Sequence, residues 1–105
     1  MRIAIAAVLL SLVPASQPLA RDAAPPMVQA LCSNCHGLDG VAVLPGAANL
    51  SGQQQEYLIE QLRAFRSGKR QNPQMNVIAK PLGDRDIEQL SLWYSSIKVT
   101  VEMPK

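Results

Sequence analysis

The chain has 105 residues, of which 48% are hydrophobic, and its formal net charge at pH 7 is +2. This length predicts a single domain, and the near balance of charges excludes the basic surface expected of a nucleic-acid-binding protein. With one Trp, two Tyr and one Phe, the core is expected to be small. Domains of this size often depend on a disulfide, a metal or a cofactor for stability.

The N-terminal segment has the pattern of a secretory signal peptide. A positive residue precedes an apolar run at residues 3–13, and small or helix-breaking residues follow up to Ala20. An apolar run of this length is too short to span a bilayer, which argues against a membrane anchor. We expect residues 1–20 to be a signal peptide and residues 21–105 to form the mature domain. Cleavage after Ala15 is the alternative to cleavage after Ala20.

The remainder of the chain carries helical signals and no strand pattern. A short helix is expected at residues 26–33, where two prolines suit the first turn. Met27, Ala30 and Leu31 would share one of its faces. Residues 37–50 contain glycines and a proline and are predicted to form a loop.

The second helix is expected to begin at Ser51, which can form a capping box with Gln54, and to end at Gly68. Apolar side chains recur along it at helical spacing; they are Tyr57, Leu58, Leu62 and Phe65. Basic residues near its C-terminal end complement the helix dipole or, alternatively, form a docking patch for an acidic partner. These residues are Arg63, Arg66, Lys69 and Arg70.

Two more helical segments are predicted after this helix. Residues 71–75 are expected to form a loop, and residues 76–80 a single helical turn. The last helix is expected from residue 84 to about residue 96, with acidic residues in its first turns, where the dipole favours them. Its predicted buried stripe consists of Ile87, Leu90, Trp93, Tyr94 and Ile97.

Both cysteines and the single histidine lie close together, as Cys32, Cys35 and His36. After a secretory signal, the C-x-x-C-H pattern indicates covalent attachment of a c-type haem through two thioethers, with the histidine as an iron ligand. A disulfide-exchange motif would favour a helix N-terminus, whereas this motif follows a helix. A zinc site requires four N or S ligands, whereas the cysteines and histidine of this chain supply three. A structural disulfide across two residues would be strained and would leave the histidine unexplained.

The iron of such a haem takes a second axial ligand or keeps an open position, and a chain with one histidine cannot supply two. Methionine is the next choice, and it raises the reduction potential. Met1 leaves with the signal peptide, Met27 precedes the cysteines on the proximal side, and Met103 lies near the chain end. Met75, in its predicted loop, is therefore the candidate. The alternative is that Met75 only fills the core, as methionine often does.

These features resemble the class I cytochromes c, in particular small bacterial periplasmic members of the type that also forms each half of dihaem cytochromes. The resemblance covers residues 28–97 and rests on CSNCHGLDG, NLSGQ, YLIEQLRAFRSGKR, Met75 with IAKPL after it, and DRDIEQLSLWY. It implies an all-α class I cytochrome c fold, with three main helices and a short one around one covalent haem. It also implies that the first and last helices cross near the haem, with His36 and Met75 as axial ligands.

One position departs from the pattern of this family. The family usually has a proline whose carbonyl accepts the proximal imidazole N–H, and this chain has Ala48 there. A carbonyl is still available for that hydrogen bond, which tunes the basicity of the ligand.

The expected function is one-electron transfer in the periplasm between a donor and an acceptor protein. Two axial ligands leave no substrate position at the iron, so the chain is expected to be a carrier and not an enzyme. One alternative is the haem subunit of a larger periplasmic dehydrogenase that contains a flavin, quinone or molybdenum centre. Another is a haem sensor or peroxidase-like site in which Met75 is displaced. Binding to nucleic acid is not expected. Stable membrane insertion is not expected once the signal peptide is cleaved.

Overall fold

The computed structural model describes residues 23–105, so the predicted signal peptide and its cleavage site lie outside the described residues. Four helical segments and the loops between them make up this part of the chain, which contains no strand. The all-α class expected from the sequence is confirmed. None of the helices described is long and apolar enough to cross a membrane.

The first helical segment, α1, is longer than predicted. It consists of a π-helical turn, Val28–Cys32, followed by an α-helical turn, Ser33–His36. The segment ends at Gly37, whose φ of 75° and ψ of 154° belong to a region that is essentially restricted to glycine. The helix therefore continues through the whole C-x-x-C-H motif and stops directly after its histidine.

Of the three residues predicted to share a face of α1, Met27 packs against the core. Val28 is fully buried, whereas Ala30 is exposed and Leu31 retains 37% of its exposure. Within this short and irregular segment, the spacing of apolar residues did not indicate which of them would enter the core.

The second helix, α2, spans Gln55–Ser67 and begins later than predicted. The capping box expected at Ser51 is wrong, because tertiary hydrogen bonds hold this part of the chain outside the helix. The Ser51 N–H donates to the Gly40 carbonyl at 3.3 Å. The Gly52 N–H donates to the Tyr94 carbonyl at 2.9 Å. These bonds fix a turn, and the helix starts only after it.

The C-terminal end of α2 carries the predicted glycine cap and a link to the last helix. Gly68 has a left-handed conformation with φ of 80°, which confirms the predicted stop signal. Arg66 donates to the Leu82 carbonyl at 3.0 Å and to the Asp84 carboxylate at 2.8 Å. The Arg66 guanidinium holds the pKa of Asp84 below its usual value. Arg66 is thus engaged within the molecule and not as a free member of a docking patch.

The third helix, α3, spans Pro73–Ala79 and covers part of the stretch predicted as a loop. The prediction of a loop at residues 71–75 is wrong because Asn72 caps a helix there. Its side-chain oxygen accepts from the N–H groups of Gln74 and Met75 at 3.0 and 2.9 Å. A proline occupies the first turn, where its missing N–H costs nothing. Met75 consequently lies in a helix.

The fourth helix, α4, spans Asp84–Ser96, as predicted. Ile87, Leu90 and Tyr94 of its predicted stripe are buried, and Trp93 and Ile97 pack against the core while remaining partly exposed. Strong helical spacing of apolar residues therefore located both the element and its inward face.

The core is small and draws on every helix. Helix α2 packs against both α3 and α4. The buried apolar residues form one cluster, which consists of Val28, Leu58, Ala79, Leu82, Ile87, Leu90 and Tyr94. Helix α1 contributes Val28 to this cluster, and α4 contributes Ile87, Leu90 and Tyr94.

Candidate haem-binding site

One cavity of about 620 Å³ is lined by all four residues that the sequence predicted to bind a haem. Cys32, Cys35 and His36 reach its wall from α1, and Met75 reaches it from α3. Most of the other lining side chains are apolar. A volume of this order is typical of cofactor and ligand sites.

His36 is held by the backbone carbonyl of Ala48. The distance from the His36 Nδ1 atom to this oxygen is 2.7 Å. A carbonyl can only accept, so in the neutral imidazole Nδ1 carries the proton and Nε2 keeps a lone pair. The hydrogen bond expected at Ala48 is therefore present without the proline, and it leaves His36 in the tautomer that can bind a metal through Nε2.

The two cysteines are free thiols in positions that suit covalent attachment. Burial is the main cause that raises the pKa of Cys32 above its ordinary value. A disulfide-exchange cysteine needs a lowered pKa, so the structure gives no support to that alternative. Among residues 23–105, no three His, Cys, Asp or Glu side chains form a group that could hold a metal ion.

Met75 is positioned by anchors on both sides of it in α3. Asn72 caps the helix before it, and the side-chain nitrogen of Asn76 donates to the carbonyls of Phe65 and Arg70, both at 2.8 Å. These contacts join the start of α3 to the end of α2. The signal for the cap, an asparagine directly before a proline, is present in the sequence but was not recognised as a helix start.

Arg70 also lines the cavity. Among the described residues that do so, it is the only Arg, Lys, Asp or Glu. Its guanidinium donates to the side-chain oxygen of Gln61 at 2.6 Å and lies 4.6 Å from the centre of the Phe65 ring. Its position near the end of α2 indicated a role in helix electrostatics or docking. Nothing in the sequence pattern placed it at the cavity.

The residues present fit a covalently attached haem. The cavity offers two thiols, an imidazole with a free Nε2, a thioether sulfur and an apolar lining. Leu31 and Tyr57, which are 37% and 44% exposed, belong to that lining, so a bound planar group would cover apolar surface that the protein alone leaves open.

No protein-family model matches the chain. Several curated proteins are similar in sequence. Cytochrome c-554(548) of Halomonas halodenitrificans is 38% identical over 68 residues, which cover 62% of this chain and 82% of that protein. Cytochrome c4 of Pseudomonas aeruginosa is 34% identical over 74 residues, or 70% of this chain and 37% of that protein. The thiosulfate dehydrogenase electron acceptor of Thiomonas intermedia is 39% identical over 82 residues, or 77% and 37%.

A solved structure is also similar. The crystal structure of reduced recombinant cytochrome c4 from Pseudomonas stutzeri matches with a TM-score of 0.60 at 36% identity, covering 64% of this chain and 38% of that chain. The chain thus spans well under half the length of the cytochrome c4 relatives, but it covers most of the length of cytochrome c-554(548).

Proposed function

The chain belongs to the class I c-type cytochromes, and from this premise we propose that it is a periplasmic one-electron carrier with a single haem c. Cys32 and Cys35 would attach the haem through thioethers, and His36 and Met75 would ligate its iron. The observation that carries this proposal is the His36–Ala48 hydrogen bond, which leaves Nε2 free in a cavity that Met75 also lines.

The haem, when bound, supplies the one-electron couple between ferrous and ferric iron. The protein residues hold this group and set its surroundings. Ala48 fixes the orientation and the basicity of His36 through the 2.7 Å hydrogen bond. Ligation by the Met75 sulfur would favour a higher reduction potential than ligation by a second histidine. Ligation by both His36 and Met75 would leave the iron no position for a substrate, in agreement with relatives that are named as cytochromes.

The proposed partners are two redox proteins, a donor and an acceptor. The periplasm is proposed as the compartment because the apolar run at residues 3–13 has the pattern of a signal peptide and because c-type haem is attached outside the cytoplasm.

A second candidate is the haem subunit of a periplasmic dehydrogenase. It is favoured by the 39% identity to a thiosulfate dehydrogenase electron acceptor. A run of half-exposed apolar side chains beside α1 would suit a lasting protein contact. These residues are Leu38, Val41, Val43 and Leu44, each between 49% and 61% exposed. Purification of the native protein under mild conditions distinguishes the two roles, because only a subunit elutes with a dehydrogenase in constant ratio.

The test of the site is a comparison of Met75→Ala with Met103→Leu in the haem-loaded protein. Met103 is 80% exposed and serves as the matched control. Met75→Ala is expected to abolish the charge-transfer absorption of methionine-ligated ferric haem and to lower the reduction potential, because the thioether ligand is lost. Met103→Leu is expected to change neither quantity. The absence of this absorption in the wild-type protein would contradict the assignment of Met75.

A further inference from the structure

The loop of residues 37–52 begins directly after His36 and contains Ala48, and both of its ends are tied to one residue of α4. The Tyr94 hydroxyl donates to the Gly37 carbonyl at 3.0 Å. At the other end, the Gly52 N–H donates to the Tyr94 backbone carbonyl at 2.9 Å. Tyr94 is 3% exposed, so both contacts are formed away from water.

Hydrogen bonds within the loop connect these tied ends to Ala48. The Leu50 N–H donates to the Gly40 carbonyl at 2.7 Å, and the Ala42 N–H donates to the side-chain oxygen of Asn49 at 2.8 Å. The two residues that follow Ala48 are therefore braced against the first part of the loop. A shift of the loop ends would move the Ala48 carbonyl with them.

A neighbouring aromatic residue strengthens the same attachment. Trp93 Nε1–H donates to the Leu38 carbonyl at 3.0 Å, next to the carbonyl that Tyr94 holds. The pKa of the Tyr94 phenol is raised, mainly by burial, so the hydroxyl keeps its proton and acts as a donor at neutral pH. The Trp93 bond reaches the start of the loop, whereas the Tyr94 bonds reach both its start and its end.

We propose that Tyr94 is a positioning residue for His36: by closing the 37–52 loop, it keeps the Ala48 carbonyl on the Nδ1–H of His36 and thereby sets the donor strength of Nε2. This inference rests on the proposed function in one respect, which is that His36 is the iron ligand. Tyr94 also lines the cavity, but the proposed effect on His36 acts through the loop and the Ala48 carbonyl.

The test is Tyr94→Phe in the haem-loaded protein, since this change removes the hydroxyl and keeps the ring. Solvent exchange of the His36 Nδ1 proton, followed by NMR in the ferrous state, is expected to accelerate about tenfold, the equivalent of about 1.4 kcal/mol. The reduction potential is expected to rise, because a weaker Nδ1–H bond makes His36 a poorer donor to ferric iron.

Ser96→Ala is the matched control, because it removes a hydroxyl from the same helix that donates to the Trp93 carbonyl, at 2.7 Å, and not to the loop. It is expected to leave both quantities unchanged. The amide of Leu58, buried in α2, reports global opening in the same NMR experiment. The proposal is overturned if exchange of the His36 proton accelerates no more than exchange of the Leu58 amide, or if the reduction potential does not change. In either case Tyr94 has only a structural role.

Failure of the proposed function would be visible separately. A wild-type protein whose spectrum shows no histidine-ligated haem contradicts the function, whatever Tyr94→Phe does. In that case the Leu50 amide, which donates to Gly40 within the loop, still measures the closure. Unchanged exchange of this amide in Tyr94→Phe would show that the hydroxyl does not hold the loop at all.

Discussion

Gly37 is required by its backbone and by its surroundings. Its φ and ψ of 75° and 154° are strained for any residue with a side chain. A Cβ atom placed there would also clash with the Val41 carbonyl oxygen. Because His36 precedes this glycine, the turn that Gly37 allows sets the path of the chain away from the proposed iron ligand.

Gly37→Ala is expected to lower the free energy of unfolding by about 3 kcal/mol or more, through backbone strain and the clash with Val41. Gly46→Ala is the matched control: Gly46 also has a positive φ, 84°, but no atom lies within 4 Å of its added Cβ. It is expected to cost only about 1 kcal/mol. Denaturant titration of the haem-loaded variants measures both values, and equal losses would show that the clash is relieved without cost.

Ser91 is a buried polar residue within the apolar stripe of α4. It is 1% exposed, and its hydroxyl has no hydrogen-bond partner in the part of the chain that the structure describes. An unpaired buried hydroxyl lowers stability because its hydrogen bonds to water are lost without replacement.

Ser91→Ala is therefore expected to leave the free energy of unfolding unchanged or to raise it by up to about 1 kcal/mol. Ser95→Ala on the same helix is the control, since the Ser95 hydroxyl donates to the Leu92 carbonyl at 3.1 Å and its loss is not compensated. Chemical unfolding of the haem-loaded proteins gives the comparison. A clear loss of stability in Ser91→Ala would mean that its hydroxyl has a partner when the haem is bound.

At the scale of elements, the cap of α3 bears on the proposed function, because Met75 lies in the first turn of the helix that Asn72 caps. Asn72→Ala is expected to destabilise the protein by about 1 kcal/mol. It is also expected to make the charge-transfer absorption assigned to Met75 disappear at a lower temperature than the haem absorption itself. Thermal scans at both wavelengths measure this difference.

Two variants make the α3 prediction specific. Asn72→Asp retains a capping oxygen and should restore the absorption. Gln71→Ala removes the neighbouring polar side chain, which donates to the Gly68 carbonyl at 2.6 Å, and should leave the absorption unchanged. Loss of the absorption in Gln71→Ala as well would mean that the whole turn, and not the cap, holds Met75.

The helices differ in how far their bounds could be predicted, and the reason is local. Helix α4 has strong periodicity and the end of α2 has a glycine cap, so both were predicted correctly. The start of α3 has an equally local signal at Asn72, which a capping analysis would have found. The start of α2 is different, since the bonds that exclude Ser51 from the helix come from Gly40 and from α4.

At the scale of the whole molecule, the small core and the cavity predict that folding depends on the haem. The buried apolar cluster of the described residues has only seven members, and a cavity of about 620 Å³ separates parts of α1, α2 and α3. The side chains around an empty cavity of this size lack packing contacts. Without them, less stabilising free energy is available to offset the conformational entropy that the chain loses on folding. Binding of a group to the native state alone stabilises that state.

A haem-free protein, made as the double variant Cys32→Ser and Cys35→Ser and stripped of any bound haem, is expected to lose most of its helical content. Far-ultraviolet circular dichroism, with the haem-loaded wild type at the same concentration as the reference, measures this loss. A native-like helical signal in the haem-free protein would contradict the dependence. It would show that the seven-residue core is sufficient.

The amino-acid sequence by itself determined the family resemblance, the helical class and the identity of the proposed ligands. Cys32, Cys35 and His36 are neighbours along the chain, and Met75 followed from elimination among few methionines. Such signals depend on neighbouring residues or on composition, so they can be recognised without knowledge of the fold.

Only the tertiary structure decided that Tyr94 closes the loop after His36, that Arg70 lies at the cavity and that Ser91 is buried without a partner. The contact between Gly37 and Tyr94 joins residues 57 positions apart. Sequence periodicity reports which side of a helix is apolar, but it carries no information on which distant carbonyl a side chain will meet. That choice depends on how the helices pack, because packing sets the distance between their backbones.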